Sequence, residues 1–228
     1  QLEWASEALI YSSNKYAAFS SVPKITMVYS ERNNSDDPRE MGKSFFEFHQ
    51  LGSEPCPIVI YPPSAFLSKD HFYQMIAHEV YHCVQKNNFP DVLRNVVRND
   101  EAKFWLEGIA QFMSNDVYPH YDFEYHSMFE TYDQELPFFL QSTPYLSEYF
   151  FQSLFWFSGA RAESIHHLHS LFNGSDSGVS EALKIPRISE AFHEYAKNFS
   201  FQNLHDSSGP LVPRSVNKEV ITVSTEDR

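Results

Sequence analysis

The segment 78–82 reads His-Glu-Val-Tyr-His and constrains what this chain can fold into more than any other feature. It falls inside a helical pattern that we predict to run from about residue 69 to residue 86. Because residues four apart lie on the same face of a helix, His78 and His82 can present two imidazole nitrogens to one ion. Glu79 lies about 100° further round the helix, which places its carboxylate beside such an ion and not on it. The pattern therefore predicts a metal centre with an acid close by.

Glu107 is the best candidate for a third ligand. It lies in a second, mostly apolar helical pattern that we predict over residues 100–115. A carboxylate in such surroundings is costly to bury unless it is paired or bound to a metal. Catalytic zinc usually has three protein ligands and one open position, so one carboxylate would complete the two histidines. The plain alternative is a glutamate on the exposed face of an amphipathic helix.

Histidines elsewhere in the chain offer other interpretations. His120 and His126 lie in a tyrosine-rich segment and are rival third ligands. We rank them lower because a loop must be well anchored to hold a metal. A further group, His166, His167 and His169, falls on a predicted helix. We interpret this group as a solvated helix face and not as a second metal site.

Apolar runs and breaks divide the rest of the chain. The patterns predict a helix over 2–14, strands over 24–30 and 57–61, and two or three helices within 146–200. The segments 31–43 and 117–145 are rich in polar residues and read as loop and surface segments. Pro62 and Pro63 directly follow the strand 57–61, so we expect this strand to be short and to lie at the edge of a sheet.

These patterns predict an α+β fold with two subdomains. An N-terminal α/β subdomain, residues 1–88, would carry a small β-sheet whose edge strand lies beside the metal helix. A mainly α-helical subdomain, residues 89–205, would carry Glu107. Residues 206–228 contain Ser-Ser-Gly-Pro and Leu-Val-Pro-Arg, and we interpret them as a linker or as the start of a further domain.

The charge balance narrows the classes of partner. The chain has 17 Lys and Arg against 30 Asp and Glu, a formal net charge of -13. Such a surface argues against nucleic acid or an anionic membrane as the main partner. No apolar run approaches the roughly 20 residues that span a bilayer. Cys56 and Cys83 are too few for a disulfide scaffold, and they either pair across the fold or remain two buried thiols.

The two motifs together resemble those of a known family. His-Glu-x-x-His, followed on a second helix by Trp-x-Glu-Gly-x-Ala-x-Phe at 105–112, is similar to the gluzincin metallopeptidases. The closest likeness is to their peptidase MA-like and collagenase-like catalytic domains, and Gln85 extends it to His-Glu-x-x-His-x-x-Gln. The resemblance covers about residues 1–200 and implies a zinc-peptidase-like, or zincin, fold.

The resemblance also implies roles for single residues. It implies one catalytic Zn2+ held by His78, His82 and Glu107, with Glu79 as general base and general acid. The strand 57–61 would be the edge strand that aligns an extended peptide by backbone pairing.

Two further positions bear on this resemblance. Tyr149 is the best match for the tyrosine or histidine that stabilises the oxyanion in many gluzincins, although a core or rim tyrosine is the plain alternative. Several branches have an acid four residues after the glutamate ligand, and this chain has Gln111 there, which leaves the outer partner of a zinc-bound histidine open. The chain has no Gly-x-Met-Glu-Asn segment, so the aminopeptidase branch is not supported.

The resemblance thus predicts a zinc-dependent peptidase that hydrolyses peptide or protein substrates through a metal-activated water. We expect endopeptidase action more than aminopeptidase action. A catalytically silent zinc-binding domain that recognises a partner is the alternative, because fold does not determine function. A first residue other than Met and the collagenase-like motifs favour an extracytoplasmic or secreted location.

Overall fold

The fold is α+β, mostly helical with a small mixed sheet, which confirms the coarse class predicted from the sequence. The structure is a computed structural model, and it describes residues 2–31, 41–44, 55–90, 103–121, 148–158, 166 and 187–200. In chain order these residues form α1 (Leu2–Ala17), β1 (Ile25–Tyr29), β2 (Gly42–Ser44), β3 (Cys56–Ile60), α2 (Lys69–Asn88), α3 (Lys103–Val117), α4 (Glu148–Ser158) and α5 (Ile188–Ser200). A 3-10 helix, Pro62–Phe66, links β3 to α2.

The element boundaries agree closely with the patterns in the sequence. The predicted metal helix is two residues longer at its end, and the helix that carries Glu107 begins and ends a few residues later than predicted. One loop prediction is wrong, because residues 42 and 43 belong to β2 and not to a loop. Most of the segment 117–145 and the whole tail 206–228 lie outside the described residues.

β3 is the central strand of the described sheet and not its edge. β1 pairs with it in parallel on one side, and β2 pairs with it antiparallel on the other. The prediction that the strand 57–61 lies at an edge is therefore wrong. That prediction relied on Pro62 and Pro63, which lie beyond Tyr61, the residue after β3, and belong to the 3-10 helix, where they interrupt no ladder.

β2 directs the backbone N–H and C=O groups of alternate residues towards β3 and those of the residues between them away from it. The N–H of Tyr61 donates to the carbonyl of Met41 at 2.9 Å, just beyond the paired residues of the two strands. Along an antiparallel ladder, residue pairs that exchange backbone hydrogen bonds alternate with pairs that do not. The backbone groups of Lys43, two residues after Met41, therefore also face β3. The backbone groups of Gly42 and Ser44 therefore point away from the sheet.

α2 is the central helix of the part of the chain that the structure describes. Ser68 is its N-cap, and the Ser68 hydroxyl accepts a hydrogen bond of 3.3 Å from the N–H of His71. Every residue from 72 to 85 is buried except Met75, because α1, α3 and the strands β2 and β3 all pack against this helix. Polar side chains in the middle of such a helix have to find partners inside the protein.

A disulfide joins the sheet to α2. Cys56, the first residue of β3, is bonded to Cys83, and both are fully buried. The sequence left open whether these two cysteines pair, and the structure shows that they do. The bond spans a sequence separation of 27 residues and reaches α2 one position after His82.

One hydrophobic core extends through the regions that the sequence analysis assigned to separate subdomains. It includes residues of α1, β3 and α2, and also residues of α3, α4 and α5. Rings connect these helices, as between Trp105 of α3 and Phe151 of α4, whose centroids lie 5.7 Å apart. The boundary at residues 88 and 89 stays a prediction. Within the described part of the chain, no helix is long and apolar enough to cross a membrane.

Candidate metal centre

Three side chains from two helices meet at one point. Nε2 of His78 lies 3.0 Å from Nε2 of His82, and Oε2 of Glu107 lies 3.3 Å from each of these nitrogens. α2 contributes both histidines, and α3 packs beside it and contributes Glu107. Among the residues that the structure describes, they are the one group of three potential ligands that could hold a metal ion. The three ligands predicted from the sequence are thus brought together.

The spacing of these three atoms suits a single ion. Donors that lie about 2.0–2.1 Å from a tetrahedral ion lie about 3.3 Å from one another. The triangle formed by the three atoms has sides of 3.0, 3.3 and 3.3 Å, which is close to that value. Two imidazole lone pairs and a carboxylate would repel one another at such distances, so a positive charge has to lie among them. The donor set therefore fits a divalent cation.

The centre is largely removed from water. His78 is 7% exposed and His82 is 4% exposed. Burial acts to lower the pKa of His82, but the charge and hydrogen bond of Glu107 outweigh it and raise the pKa of His82 to about 9. Burial likewise acts to raise the pKa of Glu107, and His82 and His78 instead hold that pKa well below its usual range. Without a metal, a proton on His82 therefore supplies the positive charge.

Glu79 is buried near the three ligands and is held by the sheet. Its Oε2 accepts a hydrogen bond of 2.6 Å from the N–H of Ser44, on the edge of β2 that faces away from β3. Its charge also contributes to the raised pKa of His82. The sequence did not point to Ser44, because a backbone N–H donor is available at almost any residue type and leaves no compositional signal.

Gln85 connects the two helices that carry the ligands. Its Oε1 lies 2.7 Å from Nδ1 of His82, and its Nε2 donates to the carbonyl oxygen of Leu106 at 3.0 Å. The side chain is fully buried. Gln85 is therefore the outer partner of His82. Its signal was a polar residue three positions after His82, on the same face of an otherwise buried helix.

Tyr149 lies on α4, which packs against α3. It is 1% exposed, and the adjacent Glu148 accepts a hydrogen bond of 2.9 Å from the side chain of Asn115. Asn115 follows Glu107 by eight residues, which corresponds to about 12 Å along α3. The role of Tyr149 at the oxyanion stays a prediction.

His120, one of the rival ligands, lies at the surface beyond the end of α3. It lines an open cavity of about 630 Å³ together with tyrosines that include Tyr11, Tyr73 and Tyr118. None of the three converging ligands lines this cavity, so it is separate from the metal centre. His126, the other rival, lies outside the described residues.

His166 is buried, so its interpretation as part of a solvated helix face is wrong. It is 2% exposed, and its Nδ1 lies 2.7 Å from the hydroxyl of Tyr81. The rings of Phe19 and Phe89 lie 5.3 and 4.9 Å from its ring. These partners are distant in sequence, so the local helical pattern could not predict its burial. His167 and His169 lie outside the described residues.

Comparison of the chain with models of known protein families, with curated proteins and with solved structures returns no match. What the centre does is therefore inferred from its own residues and their geometry.

Proposed function

We propose that this chain is a zinc-dependent peptidase in which His78, His82 and Glu107 hold one catalytic Zn2+ and Glu79 is the general base. The observation that carries this proposal is the convergence of three donor atoms at 3.0 and 3.3 Å, with a further buried acid in the next position of α2. Three protein ligands leave one position of a tetrahedral ion open for water, as in catalytic zinc sites. On the same grounds we assign the fold to the zincins.

The choice of zinc depends on Glu79. Two imidazoles and one carboxylate also suit ferrous iron in oxygen chemistry. A buried carboxylate beside the ion is what hydrolysis needs, because water must lose a proton as it attacks a carbonyl. When bound, zinc supplies a Lewis acid that lowers the pKa of water and polarises the substrate carbonyl. Elemental analysis of the purified protein distinguishes zinc from iron.

Glu79 is suited to move a proton with one of its two oxygens. The N–H of Ser44 occupies Oε2, so we assign proton transfer to Oε1. This atom accepts the proton of the attacking water and then delivers it to the nitrogen of the leaving group. The bond to a buried backbone donor fixes the carboxylate, so little reorganisation has to precede the transfer.

We expect β2, and no longer the strand 57–61, to align the substrate. The backbone groups of Gly42 point away from β3, and β2 is the outer strand of the sheet as far as the structure describes it, whereas the N–H of Ser44 is engaged by Glu79. An extended peptide can add to such an edge through main-chain hydrogen bonds. This mode contacts the middle of a peptide and not its ends, which supports endopeptidase action on peptide or protein substrates.

The variant Glu79→Gln tests the proposal. We expect peptide hydrolysis to fall by about 100- to 10,000-fold while one zinc ion per chain is retained, because the amide cannot accept the proton of the attacking water. Hydrolysis of a peptide library and zinc content are measured together. Glu190→Gln, at an exposed site on α5, is the control and should leave hydrolysis unchanged.

Two results would contradict the proposal. Unchanged hydrolysis in Glu79→Gln would remove Glu79 from the mechanism. A zinc-loaded wild-type protein that cleaves no peptide in a diverse library would instead favour the silent zinc-binding domain that recognises a partner.

A further inference from the structure

We propose that Gln85 is a positioning residue of the metal centre, and that its side-chain amide selects the tautomer of His82 that can bind a metal. This inference rests on the proposed metal centre, but it does not depend on peptidase activity. It is carried by two contacts made by the two ends of one fully buried amide, one with His82 and one with the carbonyl of Leu106.

The carbonyl of Leu106 decides which way the amide of Gln85 points. A carbonyl oxygen only accepts hydrogen bonds, so the group 3.0 Å from it has to be the NH2 of the amide. The amide oxygen then faces Nδ1 of His82 at 2.7 Å. Because this oxygen also only accepts, Nδ1 of His82 has to carry a proton.

This proton determines which nitrogen can bind a metal. In a neutral imidazole that is protonated on Nδ1, the lone pair is on Nε2. Nε2 is the atom of His82 that lies 3.0 Å from His78 and 3.3 Å from Glu107. The chain of contacts from Leu106 through Gln85 therefore directs the lone pair of His82 towards the centre.

The opposite orientation of the amide is unfavourable at both ends. It would place two oxygens against each other at Leu106 and two N–H groups against each other at His82. Gln85 is buried, so water cannot relieve either contact. The same amide holds α2 to α3 at the residue that precedes Glu107, so it links the helices on which all three ligands lie.

The variant Gln85→Leu removes both contacts at similar volume. We expect its dissociation constant for zinc to rise about 10- to 100-fold, which is the usual effect of losing the outer partner of a metal-bound histidine. Competition with a chromophoric chelator measures the constant. Gln85→Glu keeps an acceptor for Nδ1 of His82 but sets its other oxygen against the carbonyl of Leu106, so its free energy of unfolding should fall while its zinc affinity remains severalfold above that of Gln85→Leu.

Tyr81→Phe is the matched control. It removes a buried contact of 2.7 Å with His166 from the residue next to His82, on the side of α2 that faces Tyr16 of α1. It should lower the free energy of unfolding without changing the zinc affinity. Nitrogen NMR of isotope-labelled histidine supplies a second readout. The zinc-loaded wild type should show a protected proton on Nδ1 of His82, and Gln85→Leu should lose that protection.

The outcomes separate this inference from the proposed function. Wild-type zinc affinity in Gln85→Leu, or an equal loss in Tyr81→Phe, would overturn the role of Gln85 and leave the peptidase proposal untouched. Weakened zinc binding in Gln85→Leu, in a protein that cleaves no peptide, would support the role of Gln85 and overturn the peptidase proposal. A wild-type protein that binds no zinc would overturn both.

Discussion

Any metal ion that binds between His78, His82 and Glu107 has to replace a proton in the same place. The carboxylate of Glu107 raises the pKa of His82 to about 9, so the metal-free centre holds a proton at neutral pH. A metal needs the lone pair of Nε2, and its binding therefore has to release that proton. At the scale of single residues, the charge of Glu107 stabilises whichever cation is present.

The stability of the metal-free protein should fall as the pH rises from about 6.5 to about 9. The pKa of His82 is raised on folding, so its contribution is complete below about pH 6.5 and is lost as the pH rises through about 9. The pKa of Glu107 is lowered on folding, so its contribution is present above about pH 4.5 and is lost in acid. Denaturant titrations at a series of pH values measure the free energy of unfolding.

The control for this experiment is Glu107→Gln, which removes the partner charge and should flatten the alkaline part of the curve. A level free energy of unfolding between about pH 6.5 and pH 9 in the metal-free wild type would contradict the charge pair of His82 and Glu107.

At the scale of elements, the disulfide between β3 and α2 is the main covalent constraint in the described part of the chain. Replacing Cys56 and Cys83 together with Ala should lower the free energy of unfolding by about 3–4 kcal/mol, because the bond closes a loop of 27 residues in the unfolded chain. Urea denaturation of the two proteins measures the difference. Equal midpoints and slopes would show that the bond contributes nothing to stability.

Local patterns were sufficient to predict the helices that carry the centre. Ser68 marks the start of α2, the spacing of His78 and His82 places both on one face, and the apolar surroundings of Glu107 indicate a carboxylate with a buried partner. Each of these signals involves only a few neighbouring residues, so it can be recognised without knowledge of the rest of the fold.

The arrangement of the strands could not be predicted in the same way. Pro62 and Pro63 indicate where β3 ends, but not which strands lie beside it. β2 has three residues, too few to show the alternation that identifies a strand, and it follows a polar segment. The contact of Ser44 with Glu79 depends on the pairing of β2 with β3, so the sequence could not predict this contact either.

At the scale of the whole molecule, the metal should stabilise the complete fold and not only the centre. The ligands come from α2 and α3, and one hydrophobic core joins these helices to α1, α4 and α5. Zinc at about 100 times its dissociation constant should therefore raise the free energy of unfolding by about 2.7 kcal/mol, in a single transition. Thermal denaturation of chelator-treated and zinc-loaded protein measures this.

Calcium is the control ion, because it prefers six to eight oxygen ligands and should not stabilise a centre with two imidazoles. Zinc-induced stabilisation confined to an early, separate transition would show that the two predicted subdomains unfold independently and would contradict a shared core.

The hydrogen bond from Ser44 to Glu79 makes the position of the Glu79 carboxylate depend on the position of β2. The N–H of Ser44 holds the carboxylate of Glu79, and in the proposed function the backbone groups of Gly42 on the same edge of β2 would pair with the substrate. A displacement of β2 would therefore release the carboxylate of Glu79 even with His78, His82 and Glu107 in place. A compound that separates β2 from α2 would therefore inhibit the proposed peptidase without a group that coordinates the metal.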